Sequence, residues 1–156
     1  MTHSLLSALA IWAIGCVIPT PLAPDTSGND PPHIFTAEPD FAAGLQVHNT
    51  SDTLTFKVTA VDVNEGQRLE ARLFLKAGES FSQLGREEMT TSTADPTRYR
   101  ASFDGIQVCA LGGADPQKLL YIFVADTAFP MGFTPANRPA DFDSHYDFNY
   151  WVVVCT

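Results

Sequence analysis

From residue 41 onward apolar residues recur mostly with period two, and no stretch holds a helical period over three turns, so the chain reads as all-β. In TLTFKVTAV, Leu54, Phe56, Val58 and Ala60 share one face while Thr55, Lys57 and Thr59 share the other, which predicts a half-buried strand. RLEARLFLK likewise sends Leu69, Ala71, Leu73 and Leu75 inward and Glu70, Arg72 and Lys76 outward, with Phe74 as an exception on the polar face. Tyr99, Ala101 and Phe103 alternate with Arg98, Arg100 and Ser102. LLYIFVA, residues 119–125, is apolar on both faces, which places it centrally in a sheet covered on both sides, or partly by a loop. The last strand sets Tyr146, Phe148, Tyr150, Val152 and Val154 against Asp147, Asn149, Trp151, Val153 and Cys155. A short strand is expected at 45–48. Residues 76–96 read as a long connection with room for one edge strand or a helical turn near 81–84.

The first forty residues follow other rules. The apolar run at 5–18 is too short to span a bilayer, which takes about 20 residues, and suits the hydrophobic region of a signal peptide. Residues 19–40 hold six of the eleven prolines, and proline blocks helix and central strand alike, so an extended spacer is expected. The resulting division is a leader at 1–15, a proline-rich linker at 16–40 and a β-sandwich domain at 41–156.

The tetrapeptide Ala13-Ile14-Gly15-Cys16 resembles the lipobox of bacterial lipoproteins, and the resemblance implies that Cys16 receives a diacylglycerol and becomes the mature N-terminus. Ordinary signal-peptidase cleavage is the alternative, because Ala13 and Gly15 also suit that enzyme. In the domain, about seven short strands separated by turn signals predict an immunoglobulin-like β-sandwich. VTAVDVNEGQRLEARLFL, residues 58–75, is similar to the second strand, turn and third strand of Ig-like domains on bacterial surface lipoproteins.

Composition narrows the function classes. Lys and Arg number 9 against 18 Asp and Glu, a net charge of -9, which argues against nucleic acid and anionic membrane surfaces as partners. The three cysteines are Cys16, Cys109 and Cys155; pairing Cys109 with Cys155 leaves Cys16 to be explained by its position. The chain carries no G-x-S-x-G, H-E-x-x-H, P-loop or CxxC pattern, so no catalytic residue is assigned.

Two loops carry candidate chemistry. Asp141, Asp143 and Asp147 cluster before the last strand and could supply half of a calcium shell, or simply cap strand ends; no other cofactor is expected. Asp62, Asn64 and Glu65 form a second oxygen cluster, which a hairpin turn explains better. The connection 126–145 lacks strand periodicity and carries Phe129, Met131, Phe133 and Phe142 among prolines. It reads either as a flap folded over an open sheet face or as a binding surface built on Phe129, Met131 and Phe133. The expected function is a non-catalytic, exported protein, lipid-anchored at the cell envelope or else secreted and soluble. Its role is binding or structural, its partners being the membrane through the lipid and an unknown protein or glycan. An exported hydrolase with a site assembled from loops and a calcium-dependent adhesive module are the alternatives.

Overall fold

The computed structural model describes residues 29–47, 49–64, 66–111, 113–142 and 145–156. Nine strands occur among them: β1 (His33–Glu38), β2 (Leu45–Val47), β3 (Leu54–Val61), β4 (Glu70–Ala77), β5 (Ser80–Glu88), β6 (Thr90–Ser92), β7 (Asp95–Ile106), β8 (Gln117–Ala125) and β9 (Tyr146–Cys155). They form a four-stranded sheet in the order β1-β3-β7-β6 and a five-stranded sheet in the order β2-β9-β8-β4-β5. All pairs are antiparallel except β2 with β9. This division of strands between two sheets is the immunoglobulin-like arrangement.

The alternating strands face as their sequence requires. Phe56, Val58 and Ala60 of β3 and Tyr99, Ala101 and Phe103 of β7 point into the sandwich from one sheet. Ala71, Leu73 and Leu75 of β4, Leu120, Ile122 and Val124 of β8, and Trp151 and Val153 of β9 meet them from the other. Trp151 occupies the centre, with ring centroids of Phe41 and Phe56 at 4.6 and 4.8 Å. Its indole Nε1–H donates to the Pro39 carbonyl at 2.7 Å, so the polar edge of the ring is satisfied in an apolar core. An antibody-type core places its tryptophan on the third strand; here the last strand supplies it.

Two features depart from the sequence reading, and a third decides between its alternatives. The domain's first strand is His33–Glu38, inside the stretch 16–40 assigned to the linker, and it pairs with β3 over its whole length. As an edge strand it needs no strong alternation and lies clear of the prolines that flank it. Residues 80–88 form a full edge strand, β5, joined to β4 through a turn in which Gly78 takes a positive φ of 58°. Of the two alternatives for this stretch, edge strand or helical turn, the edge strand is the one formed, longer than expected because its exposed, polar face carries little hydrophobic period. β2 adds a parallel pairing that no hairpin signal announces.

Cys109 and Cys155 are joined in a disulfide with Cα atoms 5.6 Å apart, closing a separation of 46 residues at the end of β9. The chain-entropy model assigns such a crosslink about 4 kcal/mol.

Gly85 sits where β5 approaches the other sheet. A Cβ there would lie 2.5 Å from Cδ1 of the Phe103 ring, which is buried in the core. Gly85→Ala is therefore expected to lower stability by about 1–3 kcal/mol through overpacking. Urea denaturation checks this, and an unchanged midpoint contradicts the close approach.

Candidate functional site

The outer face of the five-stranded sheet is aromatic. Cross-strand register sets Phe74 beside Tyr121 and Tyr121 beside Tyr150, with Phe123 opposite Phe148 and Ala125 opposite Tyr146. The connection 126–145 folds back over one end of this face. Phe129, Phe133 and Phe142 are buried there with Phe74 and Phe123 in a second apolar cluster, separate from the sandwich core. Phe133 contacts Phe74 and Phe123 at 5.9 and 5.5 Å between centroids, and Phe142 stacks on Tyr146 at 5.2 Å. Phe74, the exception on the polar face of β4, is thus the floor beneath the flap.

Phe129 and Phe133 are only 7% and 4% exposed, whereas Met131 at the tip is fully exposed. Burial turns the two rings into the packing of the flap and takes from a Phe129, Met131 and Phe133 surface the anchors on which it was to rest. The flap holds its own shape through Asn137. Its Oδ1 accepts the Thr134 amide and hydroxyl at 2.6 and 2.8 Å, and its Nδ2 donates to the Gly132 carbonyl at 3.0 Å.

Beyond the flap the aromatic face stays open. Phe81, Tyr121 and Tyr150 form a row across β5, β8 and β9, with successive centroids 5.6 and 5.4 Å apart. Phe148, stacked on Phe123 at 5.2 Å, is 43% exposed, and Tyr150 is 45% exposed. Arg138 lies 5.7 Å over Phe148 and donates to the Tyr146 hydroxyl at 2.6 Å, giving the row a polar border. Sequence reading had placed Phe148 and Tyr150 on one face of the last strand without assigning that face a role; the signal was the run of aromatics at alternate positions.

Asp147 faces β1. Its Oδ2 accepts the Ile34 amide at 2.7 Å and lies 3.1 Å from His33 Nδ1, while its Oδ1 accepts the Phe148 amide at 2.8 Å. Oδ2 ties β9 to the opposite sheet, while Oδ1 bonds within β9. Asp143 and the Asp141 side chain lie outside the described residues, as do Cys16 and Glu65.

A polar cluster gathers at the same end, where β3 and β8 finish, β4 and β9 begin, and the chain enters β1. Asn29 is its hub: Nδ2 donates to Asp126 Oδ2, and Oδ1 accepts Gln67 Nε2 at 2.7 Å and Asn64 Nδ2 at 3.2 Å. Asp62 caps the turn after β3 by accepting the Asn64 amide at 2.7 Å. Burial, together with the charges of Asp126 and Asp30, holds the Asp62 carboxyl above its ordinary range, against the opposing pull of Asn64. Gln67 and Asp126 also line an open cleft of about 780 Å³ that runs past Glu70 and Arg86.

No protein-family model matches the chain, and no curated protein matches it. Among solved structures it is similar to a chain of the complex formed between Zinc 2-glycoprotein (ZAG) and Prolactin inducible protein (PIP) from human seminal plasma. The TM-score is 0.44 and the identity 9%, with 85% of this chain and 99% of that chain covered.

A carboxyl whose folded pKa is raised withdraws stability as pH rises through that pKa, and its unfavourable contribution is absent below the ordinary value near 3.8. In chelator, Asp62→Asn is therefore expected to raise the melting temperature at pH 7 by a few degrees, because the amide oxygen still accepts from Asn64 without carrying a buried charge. The gain should shrink as the pH falls toward 4. A variant that melts below the parent at pH 7 contradicts this assignment.

Proposed function

We propose that this chain is a non-catalytic, exported envelope protein carried on a lipid at Cys16, and that its sandwich binds a protein or glycan through the open aromatic row. The observation that carries the binding reading is the half-exposed set Phe148 and Tyr150, continued by Tyr121 and Phe81, on a rigid sheet. Aromatic rings offer large contact area and lose few rotamers on binding, and a contiguous exposed patch of them marks interaction surfaces. The flap limits this patch at one end, and Arg138 supplies a donor at its border.

Export is supported by the Cys109–Cys155 disulfide, since such bonds persist in oxidising compartments. With those two cysteines joined, Cys16 is the odd one, and its lipobox-like context gives it a use. The non-catalytic reading rests on the sequence, which carries no G-x-S-x-G, H-E-x-x-H, P-loop or CxxC pattern.

Membrane fractionation with intact mass tests the anchor: the mature protein is expected in the membrane, beginning at Cys16 with a diacylglycerol mass. A soluble, unmodified product beginning elsewhere removes the claim. The Tyr121→Ala/Tyr150→Ala double variant tests the face. It should weaken binding to envelope fractions of the producing cell at least tenfold while keeping a cooperative melt. Protease and periodate treatment of those fractions separate a protein partner from a glycan. Unaltered binding by the double variant excludes the aromatic row.

A further inference from the structure

The polar end of the sandwich holds buried oxygens that accept no hydrogen bond. Asp62 is 1% exposed, and its Oδ2 accepts no hydrogen bond. The Asp126 side chain is 0% exposed; Asn29 occupies its Oδ2, while Oδ1 accepts no hydrogen bond and has His145 Nδ1 at 3.3 Å. Gln67 spends its amide nitrogen on Asn29 and leaves Oε1 buried without a donor. A buried carboxylate oxygen without a partner is strongly unfavourable; Asp62 Oδ2 is one, the unpaired Gln67 carboxamide oxygen lies in the same region, and Asp126 Oδ1 has only the His145 ring beside it, without a hydrogen bond.

Such a set has a chemical remedy in a hard cation. Arg86 and Arg68, which border the adjoining cleft, pair with Glu70 at 2.6 Å and Glu88 at 3.8 Å, and the basic side chain beside Asp126 is His145. We propose that Asp62, Asp126 and Gln67 bind one calcium ion, with backbone carbonyls of this end and water completing the shell. Among the described residues no trio of His, Cys, Asp or Glu gathers as a metal shell. The donor set here is two carboxylates and a neutral amide oxygen, which suits calcium. Calcium accepts six to eight oxygens in irregular geometry, whereas magnesium demands a near-ideal octahedron and zinc favours nitrogen and sulfur. Gln67 and Asp126 border the open cleft, with their ligand oxygens buried beneath its surface.

The site also explains why a turn sequence, a strand end and the chain before β1 converge. Asn29 binds Asp126, Gln67 and Asn64, and the Asp30 carbonyl accepts from Asn64 at 3.0 Å. An ion held by Asp62, Asp126 and Gln67 therefore fixes the residues through which the spacer joins the domain. Two carboxylates place the affinity in the range of extracellular calcium modules, about 10⁻⁴–10⁻³ M. This inference is independent of what the aromatic face binds.

The test is titration of the exported, mature chain, stripped with chelator, by calcium chloride, followed by calorimetry and thermal melting, with magnesium chloride as the comparison. One calcium per chain is expected, with a melting temperature raised by about 4–8 °C at ten times Kd and a weaker response to magnesium. Asp62→Asn and Asp126→Asn are isosteric, so both should fold without calcium and lose at least tenfold in calcium affinity. Asp147→Asn should keep the response. Absence of any heat or melting shift in the parent chain overturns the site, as does a response that survives both Asp62→Asn and Asp126→Asn. A response lost only in Asp147→Asn places the ion in the loop before β9 and overturns it too.

Discussion

β8 is apolar on both sides, and the rest of the structure answers to that. On its inner face Leu120, Ile122 and Val124 are covered by the opposite sheet. On its outer face Phe123 and Ala125 need a second cover, which no strand can supply because the sheet is only one layer thick on that side. The connection 126–145 supplies it by folding directly back from the end of β8 and placing Phe129, Phe133 and Phe142 over Phe74 and Phe123. An uncovered face of this kind would present a large apolar patch to water and to other chains. The cover stops partway, and where it stops the aromatic row of Phe81, Tyr121 and Tyr150 begins.

The two ends of the sandwich are fastened by different chemistry. At one end the disulfide joins the close of β9 to the turn after β7, and Thr156 donates its amide to the Val47 carbonyl at 2.9 Å. At the other, Asp147 ties β9 to β1, and Asn29 gathers groups from the β3–β4 turn and the β8–β9 connection. The covalent end closes the C-terminus; the polar end closes the approach from the N-terminal side. Two buried carboxylates meet at this junction with one histidine beside them, which is the physical basis of the proposed cation.

Most of the sandwich was legible because burial on one face imposes period two. β3, β4 and β7 show this directly, and the doubly apolar run at 119–125 marked the central strand. Phe74 and the phenylalanines of 126–145 were each visible as oddities; only the fold shows that they answer one another. β5 and β1 were hard to read because edge strands carry little alternation, and prolines on both sides of β1 resemble a spacer. The polar cluster was least legible. Asp62 and Asn64 look like a turn, and nothing in sequence links them to Asp126 or to Asn29, which stands 97 residues from Asp126 and 116 from His145.

The division of one sheet face into a covered part and an open part is best tested by hydroxyl-radical footprinting with mass spectrometry on the folded, oxidised protein. Phe148, Tyr150 and Met131 should label readily, while Phe74, Phe123, Phe129 and Phe133 should label only after denaturation. Labelling of Phe129 and Phe133 at the rate of Phe148 in the native protein contradicts the account, because the flap would then leave β8 uncovered.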